Sequence, residues 1–432
     1  MILKPERLSE IPQDRMRSIL QRSMEDISDI FAEVKEIIDR IRDEGDVPTL
    51  ERYRKYKQDI TPSDLIVTRD EIERGYERIS PEVVDHLKRA AANIERFHRS
   101  QLEREMWAVE VSKGVIAGRL YRALEAVGAY VPGRQAAYPS SVLMNLIPAK
   151  VAGVEKIVIC TPPGEGMSVN PAILVAADIV GADHVFKIGG PWAIGSMAHG
   201  TETVPKVDKI VGPGGKYVTA AKMAVFGLVD IDSPAGPSEV LILADQAADP
   251  NLVAVDMLSQ AEHDADAAAV LITTSEDLAG EVCRIIDERL RSAARREIIL
   301  EALRRNSAVL IADDMDEAIR FTNQYAAEHL EILTEDPLGL LPRIKHAGSI
   351  FLGRYAPVPV GDYASGTNHV LPTGRCARMF SGLSVDDFIK KPTFQYLTRE
   401  GLEGLSETVI TLAEAEGLPM HAEAIRERLR ER

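Results

Sequence analysis

The chain has 432 residues, 45% of them hydrophobic, and a formal net charge of −16, which at about 150 residues per domain gives roughly three units with sizeable cores. That balance excludes a disulfide-stapled mini-domain and wholesale disorder. With 51 Lys and Arg against 67 Asp and Glu and no dense basic run, no face is expected to track a phosphate backbone, so nucleic acid is not an expected partner. Cys160, Cys283 and Cys376 are odd in number and far apart; they give neither a disulfide framework nor a CxxC knuckle and indicate a reducing compartment. The opening MILKPERLSEIPQDR meets prolines and charges before any apolar run, and no window approaches the ~18 apolar residues of a membrane span. The expected location is the cytoplasm.

From Ile27 onward, Ile30, Phe31, Val34, Ile37, Ile38 and Ile41 recur at spacings of three and four up to Gly45, the stripe of an amphipathic helix. Ser80-Pro81-Glu82 opens a second helix running to about Arg99, because serine accepts from exposed amides and proline in the first turn forfeits no needed donor. Residues 1–103 are therefore expected to be mainly helical. Between 104 and 133, Trp107, Val109 and Val111 alternate with Ala108, Glu110 and Ser112, so a sheet starts here. From 126 to 232 the apolar runs AVGAYVPG, KIVICTPP, HVFKIG and VDKIVGPGG alternate with helical patterns near Ser141, Pro171 and Ile194 and one ending at Phe226. The rhythm returns with SEVLILAD, AAAVLITT, AVLIAD and SIFLG. Repeated βα of this kind implies an α/β fold with two tandem doubly wound, mostly parallel units, expected at 104–235 and 236–380. Beyond Gly353, RYAPVPVGDYASGTNHVLPTG has no periodicity, and a loop of that length is more often functional than idle. Helices resume over 381–432, break at Gly417-Leu418-Pro419, and end in a short, charged helix from Ala422 to Arg432 that must pack on something.

No GxGxxG is present, so the dinucleotide fingerprint is missing. GPGGKY at 212–217 opens a helix whose amides could hold an anion, although alone it reads first as a tight strand-to-helix turn. In MLSQAEHD, Gln260 and His263 share one helix face by their i, i+3 spacing and are followed by Asp264. Two convergent ligands suit a metal; taken alone they equally suit a capped helix end, where histidine meets the negative pole of the dipole. Glu328 and His329, in YAAEHLEI, sit where a helix hands over to a strand. A carboxylate beside an imidazole can act as a proton relay, each tuning the other, yet exposed Glu-His pairs are common. Asp362 and His369 lie in the glycine-rich loop GDYASGTNHVLPT, from which a carboxylate can reach a metal bound elsewhere. Glu416 and His421 flank the Gly-Leu-Pro break and by themselves read as a solvated tail.

Together these segments resemble the histidinol dehydrogenase family from about residue 25 to the C-terminus. The resemblance is carried by AYVPGRQAAYPSSVLMNLIPAKVAGV at 129–154, VDKIVGPGGKYVTAAK, IDSPAGPSEVLILAD, LSQAEHD, AAEHLEI, and AGSIFLG followed by GDYASGTNHVLPT, all in family order. It implies two incomplete Rossmann-like units with smaller helical extensions, the tail 381–432 reaching the partner of a homodimer. The implied activity is zinc- and NAD-dependent oxidation of L-histidinol through L-histidinal to L-histidine, the last step of histidine biosynthesis. One zinc per subunit would be held by Gln260, His263 and Asp362 with His421 of the partner subunit. One carboxylate and three neutral ligands leave the ion net positive charge, so that it can hold the amino and imidazole nitrogens of the substrate. Glu328 would activate the water that hydrates the aldehyde, and His329 would take protons from the alcohol and from the hydrate. Ser238 and Glu416 match substrate contacts, as do Gln260, His263, His329, Asp362 and His421; His369 lies in a matching loop.

Three departures fall on the cofactor side. Tyr130 remains at its NAD-contacting position, but Trp192 stands where the family commonly has glutamine, Gly215 where it has asparagine, and PGRQAA at 132–137 replaces the commoner PGG pattern. Tryptophan has one donor and no carbonyl acceptor, so backbone amides of the GPGG turn are expected to carry more of the NAD recognition. The alternative within the superfamily is a dehydrogenase of another small polar alcohol, such as a sulfonated diol; the retained Glu416 and His421 favour the imidazole substrate. A zinc hydrolase using the same Glu-His pair and a binding protein without NAD affinity represent other classes.

Overall fold

The computed structural model describes residues 1–22, 28–133, 138–233 and 236–430. Among them, the strands Ala126–Tyr130, Lys156–Cys160, His184–Phe186, Lys209–Val211 and Asp230–Ile231 form one wholly parallel sheet in the spatial order 3-2-1-4-5. A second parallel sheet repeats that order with Glu239–Ala244, Ala268–Thr273, Ala308–Ile311, His329–Leu333 and Ser349–Leu352. Their central strands are near-continuous apolar runs, as sheets covered by helices on both faces require. The order reverses between Ala126–Tyr130 and Lys209–Val211 in the first sheet, and between Glu239–Ala244 and His329–Leu333 in the second. The α/β fold with two parallel units is the expected one.

The helix Ser28–Glu44 turns Ile30, Val34, Ile38 and Ile41 inward and packs on the helices Pro191–His199 and Lys216–Val225 of the first sheet; Ile27 lies outside the described residues. The helix Pro81–Arg99 begins as its sequence predicts, with Pro81 in the first turn and the Ser80 hydroxyl accepting from the Val83 N–H at 3.3 Å. Among the described residues no helix is long and apolar enough to cross a membrane.

Four features depart from expectation. The strands Met106–Ser112 and Val115–Leu120 do not join the first parallel sheet; they pair antiparallel with each other and with Thr393–Leu397, so the 381–432 segment is not wholly helical. The alternation at Trp107–Ser112 suggests one buried face, yet every residue of that strand is exposed, because nothing among the described residues covers it. Within the stretch after Gly353, Val358–Tyr363 forms a short helix whose first N–H, from Val358, is taken by the Glu331 carboxylate at 2.8 Å. A cap supplied from 27 residues away leaves no local signal. The last helix starts at Pro419 rather than Ala422 and ends at Leu429. The preceding helix, Arg399–Ala415, stops at Gly417 with φ +72°, a conformation glycine adopts without a Cβ clash, and the Leu418 N–H closes back on Ala413 O at 2.8 Å.

The N-terminal arm belongs to the second sheet. Pro5–Arg7 adds a parallel strand beside Ala308–Ile311, and the helix Gln13–Leu20 buries Ile19 and Leu20 on the same layer. Arg22 then enters the core with its side chain wholly buried, placing Nε and Nη2 each 2.8 Å from the two carboxylate oxygens of Glu239. Its remaining donors reach Leu20 O and Tyr325 O at 3.0 and 2.9 Å, and its guanidinium lies over the Tyr325 ring. A buried pair of this kind contributes little over an apolar replacement, but removing one member strands the other charge. Arg22→Met is therefore expected to cost about 3–5 kcal/mol in urea unfolding. The double variant Arg22→Met/Glu239→Gln should recover part of that loss; equal losses in the two proteins would show that an unpaired charge is not the cause.

Candidate active site

The candidate catalytic groups collect at the amino ends of two neighbouring strands, Glu239–Ala244 and His329–Leu333, beside the point where the strand order reverses. Open α/β sheets more often bind ligands at the carboxyl ends of their strands. On the first sheet the residues expected to face the cofactor lie at the carboxyl ends: Tyr130 ends one strand, and the Gly212–Gly215 turn follows the strand that pairs with it.

A line of donors fixes the Glu328 carboxylate. The Gln260 side-chain N–H donates to Ser238 Oγ at 2.8 Å, the Ser238 hydroxyl donates to Glu328 Oε2 at 2.7 Å, and the Glu239 N–H donates to the same oxygen at 2.8 Å. Since the serine proton goes to Glu328, Ser238 needs a donor from Gln260, which turns the amide oxygen Oε1 the other way. That oxygen is buried without a hydrogen-bond partner among the described residues. Glu239 completes the frame: its carboxylate accepts the Glu328 N–H at 3.2 Å, and its carbonyl lies 3.0 Å from His329 Nδ1.

A carbonyl only accepts, so His329 Nδ1 carries a proton, and in the neutral form of the ring the lone pair lies on Nε2. His329 Nε2 is also buried without a hydrogen-bond partner and lies 3.7 Å from Asp362 Oδ1. Burial by itself lowers the His329 pKa, but the adjacent Glu328 and Asp362 carboxylates outweigh it and raise it well above the ordinary value, which favours a second proton on Nε2; a cation held at Asp362 would offset that carboxylate's pull and favour the neutral ring. Asp362 responds in the opposite sense: burial would raise its carboxyl, and the His329 imidazole, aided by His369 and His263, holds it below the usual range.

Asp362 lies near the end of the short helix Val358–Tyr363, where its carbonyl accepts from His369 Nδ1 at 2.8 Å. The other ring nitrogen of His369 is 3.3 Å from the Ser141 hydroxyl, in the first turn of the helix Pro139–Ala152 that follows the strand Ala126–Tyr130. His369 thus stitches the carboxyl edge of the first sheet to the residue that fronts the second. Burial lowers its pKa, in keeping with a neutral ring that donates at one nitrogen and accepts at the other.

Ser238, Gln260, Glu328, His329 and Asp362 are therefore brought together, with exposed His263 close enough for its charge to act on Asp362. Glu416 and His421 are not. Glu416 caps the helix Arg399–Ala415, His421 lies in the first turn of Pro419–Leu429, both are exposed, and these helices pack on each other. Among the described residues no group of three or more His, Cys, Asp or Glu side chains could hold a metal ion within the chain. The residues present nonetheless fit one. An orphaned buried amide oxygen at Gln260, the Asp362 carboxylate and the nearby His263 imidazole form an incomplete N/O donor set.

On the first sheet, Gly212 has φ +115°, and a Cβ there would lie 2.1 Å from the Tyr130 carbonyl oxygen, so glycine lets the turn close on that strand. Asp232 accepts the Gly212 N–H at 2.7 Å and pairs with the buried Lys222, which also donates to Gly212 O at 3.1 Å. Gly215 is the exposed N-cap of the helix Lys216–Val225, and the space around it is open. Trp192 is half-buried at the start of the helix Pro191–His199, with the Arg52 guanidinium 4.9 Å from its ring centre. The two amides before that helix are taken by phenols, Gly189 N–H by Tyr53 at 2.7 Å and Gly190 N–H by Tyr130 at 3.3 Å. Of PGRQAA, residues 134–137 lie outside the described residues.

Sequence reasoning missed Glu239, Arg22 and Tyr53. Only Glu239 had a local signal: an acid opening the otherwise apolar run EVLILA must find a partner if the strand is buried.

Comparison with known proteins agrees with this geometry. The family model described as histidinol dehydrogenase matches residues 20–429. The histidinol dehydrogenase of Methanothermobacter thermautotrophicus is 50% identical over 425 residues, covering 98% of this chain and 99% of that protein. That of Methanocaldococcus jannaschii is 51% identical over 430 residues, covering 100% and 99%. The crystal structure of histidinol dehydrogenase from Elizabethkingia anophelis superposes with a TM-score of 0.93 at 40% identity, covering 99% of this chain and 98% of that one. Agreement of this extent in sequence and in backbone goes well beyond a shared architecture, and the chain belongs to the histidinol dehydrogenase family of oxidoreductases.

Proposed function

We propose that this protein is a zinc-dependent histidinol dehydrogenase that converts L-histidinol through L-histidinal to L-histidine with two NAD, as a cytoplasmic homodimer with shared sites. The observation that carries the reading is His329 Nε2, a buried ring nitrogen with no hydrogen-bond partner, set beside the Glu328 carboxylate on one wall. Two successive oxidations with a hydration between them need a base for each and an activator for water, and this wall offers both.

Gln260, His263 and Asp362, with His421 of the partner subunit, would hold zinc, whose positive charge orients the substrate's amino and imidazole nitrogens. NAD would lie at the carboxyl edge of the first sheet near Tyr130, Trp192 and Gly215, and supply the hydride acceptor for both oxidations. With Arg52 over the Trp192 ring, the indole has a face left for packing, while the helix start at Gly215 offers amides to the dinucleotide. His329 takes the alcohol proton at Nε2 as hydride leaves the carbon. Its Nδ1–H stays on the Glu239 carbonyl, so the ring keeps its aim. Glu328 takes a proton from the water that adds to the aldehyde, and His329, after releasing its first proton to solvent, takes one from the hydrate as the second hydride leaves to the second NAD. Ser238 holds Glu328 in place and, with Glu416 of the partner subunit, would contact the substrate.

Support for the dimer comes from apolar surface that this chain leaves uncovered. Met106, Trp107, Val109 and Val111 are exposed along one strand, and Leu412, Leu418 and Met420, the last 75% exposed, lie on the tail near Glu416 and His421. Side chains of this kind gathered on one segment mark an interaction face. The incomplete donor set at Asp362 points the same way.

The deciding measurement is NADH formed per histidinol consumed. Two equivalents are expected; one would mean that the reaction stops at the aldehyde, and none would overturn the assignment.

The proton carriers can be separated. His329→Asn should slow oxidation of both the alcohol and the aldehyde, whereas Glu328→Gln should impair mainly the aldehyde step, each by about 10²-fold or more. Near-wild-type rates for both variants with both substrates would refute these roles.

Sharing of the site is tested by refolding His263→Ala and His421→Ala chains together, each inactive alone. Random pairing makes about half of the dimers mixed with one complete site each, so about a quarter of wild-type activity should return. Verified subunit exchange without recovery would show that His421 does not serve the partner.

A further inference from the structure

Glu331 is two residues beyond His329 on the same strand and so points to the same face of the second sheet, yet no step above uses it. It is fully buried. Its Oε1 accepts the N–H of Val358, which opens the short helix bearing Asp362. Its Oε2 has no N–H or O–H donor among the described residues. The polar group within hydrogen-bonding reach of it is the Asp256 carboxyl, on the helix Pro250–Ala261 one turn before Gln260. Its register neighbours on the flanking strands are the apolar Ile242 and Phe351, and His329, on its own strand, also acts on it.

Two carboxyl groups can hydrogen-bond to each other only if one keeps its proton, and with Glu331 fully buried and Asp256 half-buried two carboxylates would repel with little solvent to screen them. We propose that Glu331 is a positioning residue held as a neutral acid, sharing one proton with Asp256, so that this hydrogen bond clasps the helix of Asp362 and the helix of Gln260 to the strand of His329. Its importance for turnover rests on the function proposed above, but the shared proton does not. Burial, with the charge of Asp256 added, pushes the Glu331 carboxyl up to about 8, and burial pushes Asp256 up to about 6, so the pair retains a proton through neutral pH.

The sign of the linkage follows. From Glu331's ordinary 4.5 to about 8 the folded chain holds a proton that the unfolded chain has lost, so stability falls across that window as pH rises and is level above it. Glu331→Gln keeps an acceptor for the Val358 N–H and a donor for Asp256 without a titrating proton; Asp256→Asn supplies a donor from the other side. Urea unfolding of the full-length protein from pH 5 to 9 should show wild type losing stability relative to Glu331→Gln up to about pH 8, by as much as tenfold in the unfolding constant per pH unit. Asp256→Asn should shrink the same slope. Infrared spectra near pH 7 should show a protonated-carboxyl C=O stretch in wild type that is absent from Glu331→Gln. Parallel pH profiles and no such band would overturn the shared proton. For turnover, Glu331→Leu should lose more than tenfold in kcat while Glu331→Gln retains most of it. Equal activity of these two variants, with the shared proton verified, would overturn the positioning role. Absence of histidinol oxidation from wild type itself would instead count against the function proposed above, and the unfolding and infrared comparison would still decide the proton.

Discussion

Glu239 is fully buried, and the layout of the site follows from how its charge and its peptide groups are met. The carboxylate takes the fork of Arg22 and the N–H of Glu328; its own N–H goes to the Glu328 carboxylate, and its carbonyl takes the Nδ1 proton of His329. One residue therefore sets the register of two strands and the aim of both candidate proton carriers. Burial raises the Glu239 pKa and Arg22 opposes the rise, so the charge that organises this wall depends on a cation delivered by the N-terminal arm.

The two sheets meet through opposite edges. The first offers its carboxyl edge, with Tyr130 and the Gly212 turn; the second offers its amino edge, with Ser238, Glu328 and His329. Ser141 and His369 bridge them at Asp362. In the reaction proposed above, hydride would leave toward one unit and a proton toward the other, and this apposition of edges would set the alignment from which much of the rate of an oriented reaction originates. Repeated units stacked in the same sense could not offer both surfaces to one substrate.

Much of the fold was legible because it is written in local pattern. The apolar runs AVGAY, KIVIC, EVLILA and AAVLIT are strands because they are apolar throughout, and Ser28–Glu44 is a helix because its isoleucines and Val34 recur every three or four residues. Features that depend on a distant partner were not. Arg22 and Glu239 are 217 residues apart, and neither carries a mark of the other. Pro5–Arg7 is a strand by backbone pairing alone, with side chains that show no alternation. Val358–Tyr363 becomes helical where Glu331 can cap it. At the site, the short segments around Gln260, Glu328 and Asp362 named residues that the fold brings together, but the direction of each proton, and so the free lone pair on His329, depends on a carbonyl that belongs to another strand.

The arm that carries Arg22 also sets a timetable for synthesis. Its strand pairs with Val309, Leu310 and Ile311, so at about 5–20 residues per second roughly 300 residues must follow it, and the arm must wait some 15–60 s for its place in the sheet. The wall of candidate catalytic groups is consequently among the last parts of the chain to be completed, although it depends on one of the first segments made. A nascent chain can bury most of the first sheet while Glu239 still lacks its counterion, and a chaperone that shields residues 5–22 during that interval would be guarding the candidate active site from its far end.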